Sequence, residues 1–170
     1  YWNPAYLMLW TATELGVHGY LEESKAAVTH AIEWYQAHPD DNHRFELAQA
    51  YYVADQLDKS REIFEKLAQE EPGNIDYLGY LGAIAARTGD QTKAENICIL
   101  LVNPARPYLF GRHTCWRARI AALSGDKEFA IQLLRDAIAH GFDYYSLHEI
   151  IDFASLYDYP PYVELIKPKE

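Results

Sequence analysis

The chain has 170 residues, of which 49% are hydrophobic and 14% aromatic, so its apolar content supports a folded core and excludes a disordered chain. Its 25 acidic and 15 basic residues give a formal net charge of −10, which argues against nucleic acid as a partner because the phosphate backbone is itself negative. No apolar run approaches the roughly 20 residues that a membrane-spanning helix needs, so we expect no membrane insertion.

Hydrophobic periodicity and turn residues predict eight helices and no strand. Asp58, Asp90 and Asp126 stand where helix N-caps belong, and each precedes a helix. The helices are predicted near residues 4–18, 22–37, 42–54, 58–70, 75–88, 91–102, 112–123 and 127–140.

Turn signals recur along these helices at a nearly constant interval. Gly19, Asp55, Gly89 and Gly125 are separated by 36, 34 and 36 residues. A period in this range is typical of arrays of helical hairpins, in which each repeat is one pair of helices. The sequence therefore predicts four hairpins, with one turn signal inside each.

The columns around the turns also agree. Seven residues before each turn, and five residues after it, every repeat has a small residue, which predicts the point where the two helices of a hairpin cross closely. Nine and thirteen residues after the turn the side chains are apolar and would fill the space beside the crossing. The two small columns hold Ala12, Ala48, Gly82 and Ala118, then Ser24, Ser60, Ala94 and Ala130.

This pattern resembles the tetratricopeptide repeat family over roughly residues 5 to 141. The resemblance is clearest in the third repeat, which has Pro72-Gly73-Asn74, Leu81-Gly82, Gly89 and Ala94. Two repeats depart from it, because Thr11 in the first and Arg117 in the fourth stand where the family has a large apolar residue. The resemblance implies an all-α, right-handed α-solenoid of about four hairpins.

The segments outside the repeats carry two further expectations. Residues 103–111 should form an ordered loop in which Tyr108, Leu109 and Phe110 are covered. Residues 142–170 should form a helical cap over the exposed end of the array, with Asp152 and Asp158 as surface charges. We thus expect two parts, 1–141 and 142–170.

The tail has the pair Leu147-His148, then an acidic-apolar stretch, and ends in a Pro-x-Phe-x-x-Leu-like pattern with Tyr162 in the Phe place. In these features it resembles the ends of bacterial tetratricopeptide regions that lie behind signalling modules such as kinases, cyclases or winged-helix regulators. The chain begins Tyr1-Trp2-Asn3-Pro4 without Met or a signal peptide, so we expect a piece cut from a longer protein. No targeting signal indicates the compartment, which stays open, with the cytoplasm favoured over the periplasm.

The side chains with chemical potential form no recognisable reactive set. The seven histidines make no pair with metal-ligand spacing, so we expect neither a metal nor a cofactor. His113 and Cys115, two residues apart, point to different sides of a helix and make a poor catalytic pair. Cys98 and Cys115 should be buried or half-buried thiols, with a single disulfide as the alternative.

In tetratricopeptide arrays the first helix of each hairpin lines a concave face, and here that face would be rich in aromatic residues. Rigid aromatic anchors beside arginines are typical of peptide recognition, and the arginines would favour a ligand with a carboxylate. We therefore predict a peptide- or domain-binding scaffold centred on Trp116, with the tail folded into the groove as the alternative for some aromatics. The candidate binding residues are Tyr6, Trp10, Phe45, Gln49, Tyr52, Tyr80, Arg87, Trp116 and Arg119.

Two other classes of function stay open. The chain could be a structural module that forms a homodimer, or packs on another domain, through the exposed end of the first repeat. An enzyme is the least favoured class, because no residue set supports catalysis. Groove positions that would hold Lys, Asn or Arg in arrays that clamp acidic chaperone tails hold Leu9, Thr13, Glu46 and Tyr80, so we expect no such binding.

Overall fold

All regular elements in the computed structural model, which describes residues 3–104 and 108–167, are helices. The all-α fold is thus confirmed for the described residues. Each of the eight predicted helices begins and ends within two residues of its predicted first and last residue. None of the described helices is long and apolar enough to cross a membrane. The α-helices are α1 (Pro4–Val17), α2 (Leu21–Ala37), α3 (Arg44–Val53), α4 (Leu57–Glu70), α5 (Ile75–Arg87), α6 (Gln91–Leu100), α7 (Arg112–Leu123), α8 (Lys127–Ala139) and α9 (Pro160–Ile166), and 3₁₀ helices span Asp41–His43, Tyr144–Glu149 and Ile151–Leu156.

The four predicted turns all have a left-handed backbone. Their φ angles are 84° at Gly19, 58° at Asp55, 79° at Gly89 and 87° at Gly125. Glycine takes this conformation without a steric penalty, and aspartate is one of the few other residues that tolerates it. The turn positions are therefore confirmed, including the one that lacks glycine.

The predicted N-caps are confirmed at two positions of three. The side chains of Asp90 and Asp126 accept hydrogen bonds from the backbone N–H groups of Lys93 and Phe129, both at 3.0 Å. The prediction for Asp58 is wrong, because α4 already begins at Leu57. Asp58 lies in its first turn and forms a salt bridge with Arg61 at 3.1 Å.

The chain divides into two compact units, Tyr1–Glu70 (unit 1, α1 to α4) and Glu71–Glu170 (unit 2, α5 to α9). In unit 1 the small residues mark the hairpin crossings as predicted. The Ser24 hydroxyl donates to the Ala12 carbonyl at 2.6 Å, and the Ser60 hydroxyl donates to the Ala48 carbonyl at 2.8 Å. Each serine thus joins the two helices of its hairpin through a backbone carbonyl.

Unit 2 has its core between α7, α8 and the segment after Gly141. Leu147, Phe153, Leu156 and Tyr162 are fully buried in one cluster with residues of α7 and α8. In the described residues the segment predicted as a cap is helical and packs on α7 and α8, and it consists of two 3₁₀ helices and α9 rather than a pair of α-helices. Residues 168–170, which belong to the same predicted segment, lie outside the described residues.

The loop before α7 differs from the prediction. Tyr108 and Phe110 are exposed rather than covered, and both have positive φ angles, 60° and 45°. Gly111 follows with a φ of 76°, and a Cβ there would overlap the carbonyl of Ala137 in α8. Only glycine fits this place, which sets where α7 begins against α8. Residues 105–107 lie outside the described part of the loop.

Candidate functional site

Trp116 stands at the centre of the predicted binding residues, and the structure places it inside unit 2. The residue is only 5% exposed, and its indole nitrogen donates to the carboxylate of Asp76 at 2.9 Å. Tyr80 of α5 meets it edge to face, with ring centroids 4.6 Å apart, and is 9% exposed. Asp76 also accepts from Arg112 at 2.6 Å, so one carboxylate holds the start of α5 to α7.

Arg119, one turn along α7 from Trp116, is the residue from which we expected recognition of a ligand carboxylate. Its guanidinium lies 3.5 Å from the centroid of the Trp116 ring and 5.3 Å from that of Tyr80. Its Nε donates to the carboxylate of Asp152 at 2.7 Å, and the Asp152 side chain is almost completely buried. The carboxylate that Arg119 binds therefore belongs to the chain's own C-terminal segment.

These contacts overturn two expectations. Trp116 and Tyr80 do not line a solvent-reachable concavity, because both are buried and the Arg119 guanidinium lies against their rings. Asp152 is not a surface charge, because it is buried and paired with Arg119, whereas Asp158 is exposed as expected. The remaining candidate of this unit, Arg87, is half-buried in the last turn of α5.

In unit 1 some of the candidate binding residues are exposed, unlike Trp116 and Tyr80 of unit 2. Trp10 is 53% exposed and Tyr6 is 42% exposed, and both lie on α1 one turn apart. On α3, Phe45 is half-buried against Phe64 of α4, with ring centroids 5.9 Å apart. The two other candidates on α3 are Gln49, which is half-buried, and Tyr52, which is only 1% exposed and is therefore not a surface anchor.

The cysteines are both reduced, so the disulfide alternative does not describe this structure. Burial raises the pKa of the Cys115 thiol to about 12, with a smaller opposing effect from Arg119. Burial also lowers the pKa of His113. At neutral pH the thiol is protonated, and the nucleophilic form of cysteine is the thiolate.

The described residues contain no group of three or more His, Cys, Asp or Glu side chains arranged to hold a metal ion. His38 and His43, which flank a turn rich in aspartate, instead contact the indole of Trp34. The ring of His38 stacks on it at a centroid distance of 4.2 Å, and that of His43 meets it edge-on at 5.6 Å.

Two carboxylates that bond to Trp116 and Arg119 in unit 2 were not predicted as such from the sequence. Asp76 was missed, and Asp152 was predicted to be a surface charge. Asp76 is not among the candidate binding residues, and nothing in its sequence neighbours pointed to Trp116. Asp152 did carry a signal, because it is flanked by Ile151 and Phe153 in an apolar stretch. An acidic residue in such surroundings is buried only when it has a partner.

Comparison with known proteins adds no family to these observations: no family model, no curated protein and no solved structure matches the chain.

Proposed function

We propose that the chain is a protein-interaction module that binds a polypeptide segment through the exposed face of α1. The observation that carries the proposal is the pair Tyr6 and Trp10, two large aromatic side chains that remain about half exposed on one helix. Large aromatic residues dominate the binding energy of protein interfaces. A folded protein gains nothing for its own stability from leaving such side chains in water.

The proposed surface is smaller than the sequence alone suggested, because it is restricted to unit 1. The proposed surface includes Phe45 and Gln49 of α3. The helix α3 packs beside α1, and both side chains remain partly exposed. Tyr52, Tyr80 and Trp116 have roles in the interior, and Arg119 has an internal carboxylate.

The proposal extends to the architecture. We infer a right-handed solenoid of four tetratricopeptide-like hairpins, part of a larger bacterial protein. Four consecutive hairpins with left-handed turns at a regular interval support it, as does the column of small residues at the crossings. The tail's resemblance to those of bacterial signalling proteins is the support for the origin.

The function proposed is not catalytic. The support is chemical: Cys115, two residues from His113 in the sequence, is buried and held as the neutral thiol. A module that acts by binding requires neither a metal nor a cofactor.

Peptide selection followed by mutation tests the binding surface. Peptides selected from a random display library against the chain should lose about 30-fold or more in affinity for Trp10→Ala, which corresponds to about 2 kcal/mol for an interface anchor. Tyr20→Ala is the matched control, because Tyr20 is equally exposed but stands at the start of α2. Peptides that bind Trp10→Ala as tightly as the unmodified chain would refute the proposed surface.

A structural role is the second candidate, and Leu7 favours it. Leu7 is exposed beside Tyr6 and Trp10, so α1 offers an apolar patch that a second copy of the chain would cover. Size-exclusion chromatography with light scattering distinguishes the two. A stable dimer that Leu7→Glu converts to a monomer would support the structural role, and a monomer at all concentrations would leave the peptide-binding proposal.

A further inference from the structure

Arg117 is the residue that the repeat pattern leaves unexplained. It stands where Leu47 and Leu81 stand in the two preceding repeats, so a charged side chain replaces an apolar one. In the structure its Nε is buried and has no hydrogen-bond partner among the described residues. A buried donor without an acceptor is unfavourable unless something else supplies the acceptor.

The surroundings of Arg117 form a groove. It has a volume of about 400 Å³ and is lined by α6, α7 and the start of α8, all within unit 2. This volume falls within the range of roughly 300–1,000 Å³ that is usual for ligand sites. The groove is separate from the Trp116 and Arg119 cluster, because none of those side chains lines it.

The walls of the groove are mainly apolar. Ile99 is 68% exposed on α6, and Val102 and Phe129 are also exposed there. The Arg117 guanidinium lies 6.0 Å from the centroid of the Phe129 ring, so the charge sits beside the apolar wall. This arrangement fits a ligand in which an apolar side chain and a negative group are a few bonds apart.

The polar groups that line the groove favour one class of such ligands over another. The Ser124 hydroxyl is buried without a partner in the described structure, and the carboxylates of Glu95 and Asp126 lie at the groove. A backbone N–H of a ligand would find acceptors there, whereas a second carboxylate would be repelled. An alkyl chain would leave these groups without partners, so a peptide is a better match than a fatty acid.

We propose that this groove binds the C-terminal residue of a peptide, with its α-carboxylate on Arg117 and its apolar side chain against Ile99, Val102 and Phe129. Bonds between a guanidinium and a carboxylate are charge-assisted and often bidentate, which gives them specificity for this geometry. The inference rests on the proposed function only in taking a polypeptide as the class of ligand. The groove at Arg117 is a different surface from the exposed face of α1.

A test without any mutation uses the peptide acetyl-Gly-Ser-Gly-Leu as its probe, with a free or an amidated C-terminus. Titration into the ¹⁵N-labelled chain should shift the amide signals of residues 95–102 and 117–129. The free acid should bind at least ten-fold more tightly than the amide, because the amide lacks the charge. Equal affinities, no shifts up to tens of millimolar probe, or tighter binding of octanoate would overturn the proposal.

Variants of Arg117 provide the second test. Arg117→Gln should weaken binding of the free acid by ten-fold or more and leave the amide unaffected, whereas Arg117→Lys should retain part of the affinity. Arg135→Gln, an exposed arginine of α8 outside the groove, is the matched control and should change nothing. An Arg117→Gln chain that keeps its affinity for the free acid would contradict the proposal.

The failure of this inference is distinguishable from failure of the proposed function. Trp10→Ala should leave binding of the probe unchanged while it weakens binding of the library peptides about 30-fold, and Arg117→Gln should weaken the probe ten-fold or more and leave the library peptides unchanged. If one variant abolished both, the groove would not be an independent site.

Discussion

Arg119 is held on three sides by groups of its own unit. The rings of Trp116 and Tyr80 lie against its guanidinium, and Asp152 accepts from its Nε at 2.7 Å. The aromatic rings shield the pair from water, which strengthens the attraction but also raises the cost of leaving either charge alone. The pair therefore fixes the C-terminal segment on α7, and it acts only when both residues are present.

Removal of the carboxylate should destabilise unit 2. We expect Asp152→Ala to lower the free energy of unfolding by about 3 kcal/mol, because the buried guanidinium loses its charged partner. Urea denaturation followed by circular dichroism measures this. Asp158→Ala is the control from the same segment, since Asp158 is exposed, and should have little effect. A loss below about 1 kcal/mol for Asp152→Ala would mean that the pair contributes no more than a surface salt bridge.

Tyr162 makes a comparable internal contact without a charge. Its hydroxyl donates to the carbonyl of Leu147 at 2.9 Å, and burial raises the pKa of this phenol, with smaller effects from Tyr157 and Cys115. Below about pH 10 the phenol is protonated in both the folded and the unfolded chain, so its contribution to stability is complete. Above about pH 10 the unfolded chain loses the proton first, and the contribution falls as the pH rises towards the folded pKa.

The variant Tyr162→Phe tests whether the contribution of Tyr162 to stability falls as the pH rises above about 10. At pH 8 it should cost about 1 kcal/mol, because the Leu147 carbonyl loses its donor. The difference from the unmodified chain should shrink between pH 10 and pH 11, since the variant has no phenol to ionise. Urea denaturation across this range is the measurement, with the exposed Tyr108→Phe as the control. A difference that stays constant to pH 11 would contradict the assignment.

At the scale of the elements, the approach of α5 to α7 depends on two glycines. A Cβ at Gly79 would overlap the indole ring of Trp116, and a Cβ at Gly82 would overlap the side chain of Ile120. Gly82 occupies the small column that marks the hairpin crossing, whereas Gly79 makes room for a contact between hairpins. The Trp116 ring cannot move aside easily, because it is buried and bonded to Asp76.

The variant Gly79→Ala should therefore destabilise unit 2 even though alanine is the better helix former. Overpacking costs about 1–3 kcal/mol and exceeds the gain of about 1 kcal/mol in helix propensity, and a rigid indole places the loss towards the upper end. Thermal denaturation measures the change. Gly73→Ala is the control, because nothing lies within 4 Å of the added Cβ. If Gly79→Ala were as stable as the unmodified chain, the close packing on Trp116 would be disproved.

The elements that were predicted well depend on local rules. Turns at Gly19 and Asp55 and caps at Asp90 and Asp126 follow from residues a few positions apart, so a single sequence contains the information. The candidate site was predicted less well because Trp116 and Arg119 bond to Asp76 and Asp152, which lie 40 and 33 residues away in the sequence. The spacing of apolar residues predicts which face of α7 is buried. It does not predict which distant residues pack against that face.

At the scale of the whole molecule, stability should be independent of metal ions. The described residues hold no set of metal ligands, and the histidine spacing predicts none in the sequence. Dialysis against EDTA should leave the melting temperature unchanged to within about one degree, measured by differential scanning calorimetry. A fall of several degrees, reversed by adding back zinc or calcium, would contradict this expectation.

The place of the C-terminal segment in the core has a consequence for synthesis on the ribosome. The core of unit 1 joins residues from Ala5 to Tyr51, so it can close while the following helices are still being made. The core cluster around α7 and α8 in unit 2 needs Leu147, Phe153 and Tyr162, and Arg119 meets the Asp152 carboxylate only after that residue emerges from the exit tunnel. Until then the part of α7 and α8 that this segment covers is exposed to chaperones and proteases, so the later-made unit is the one whose yield should respond to the speed of translation.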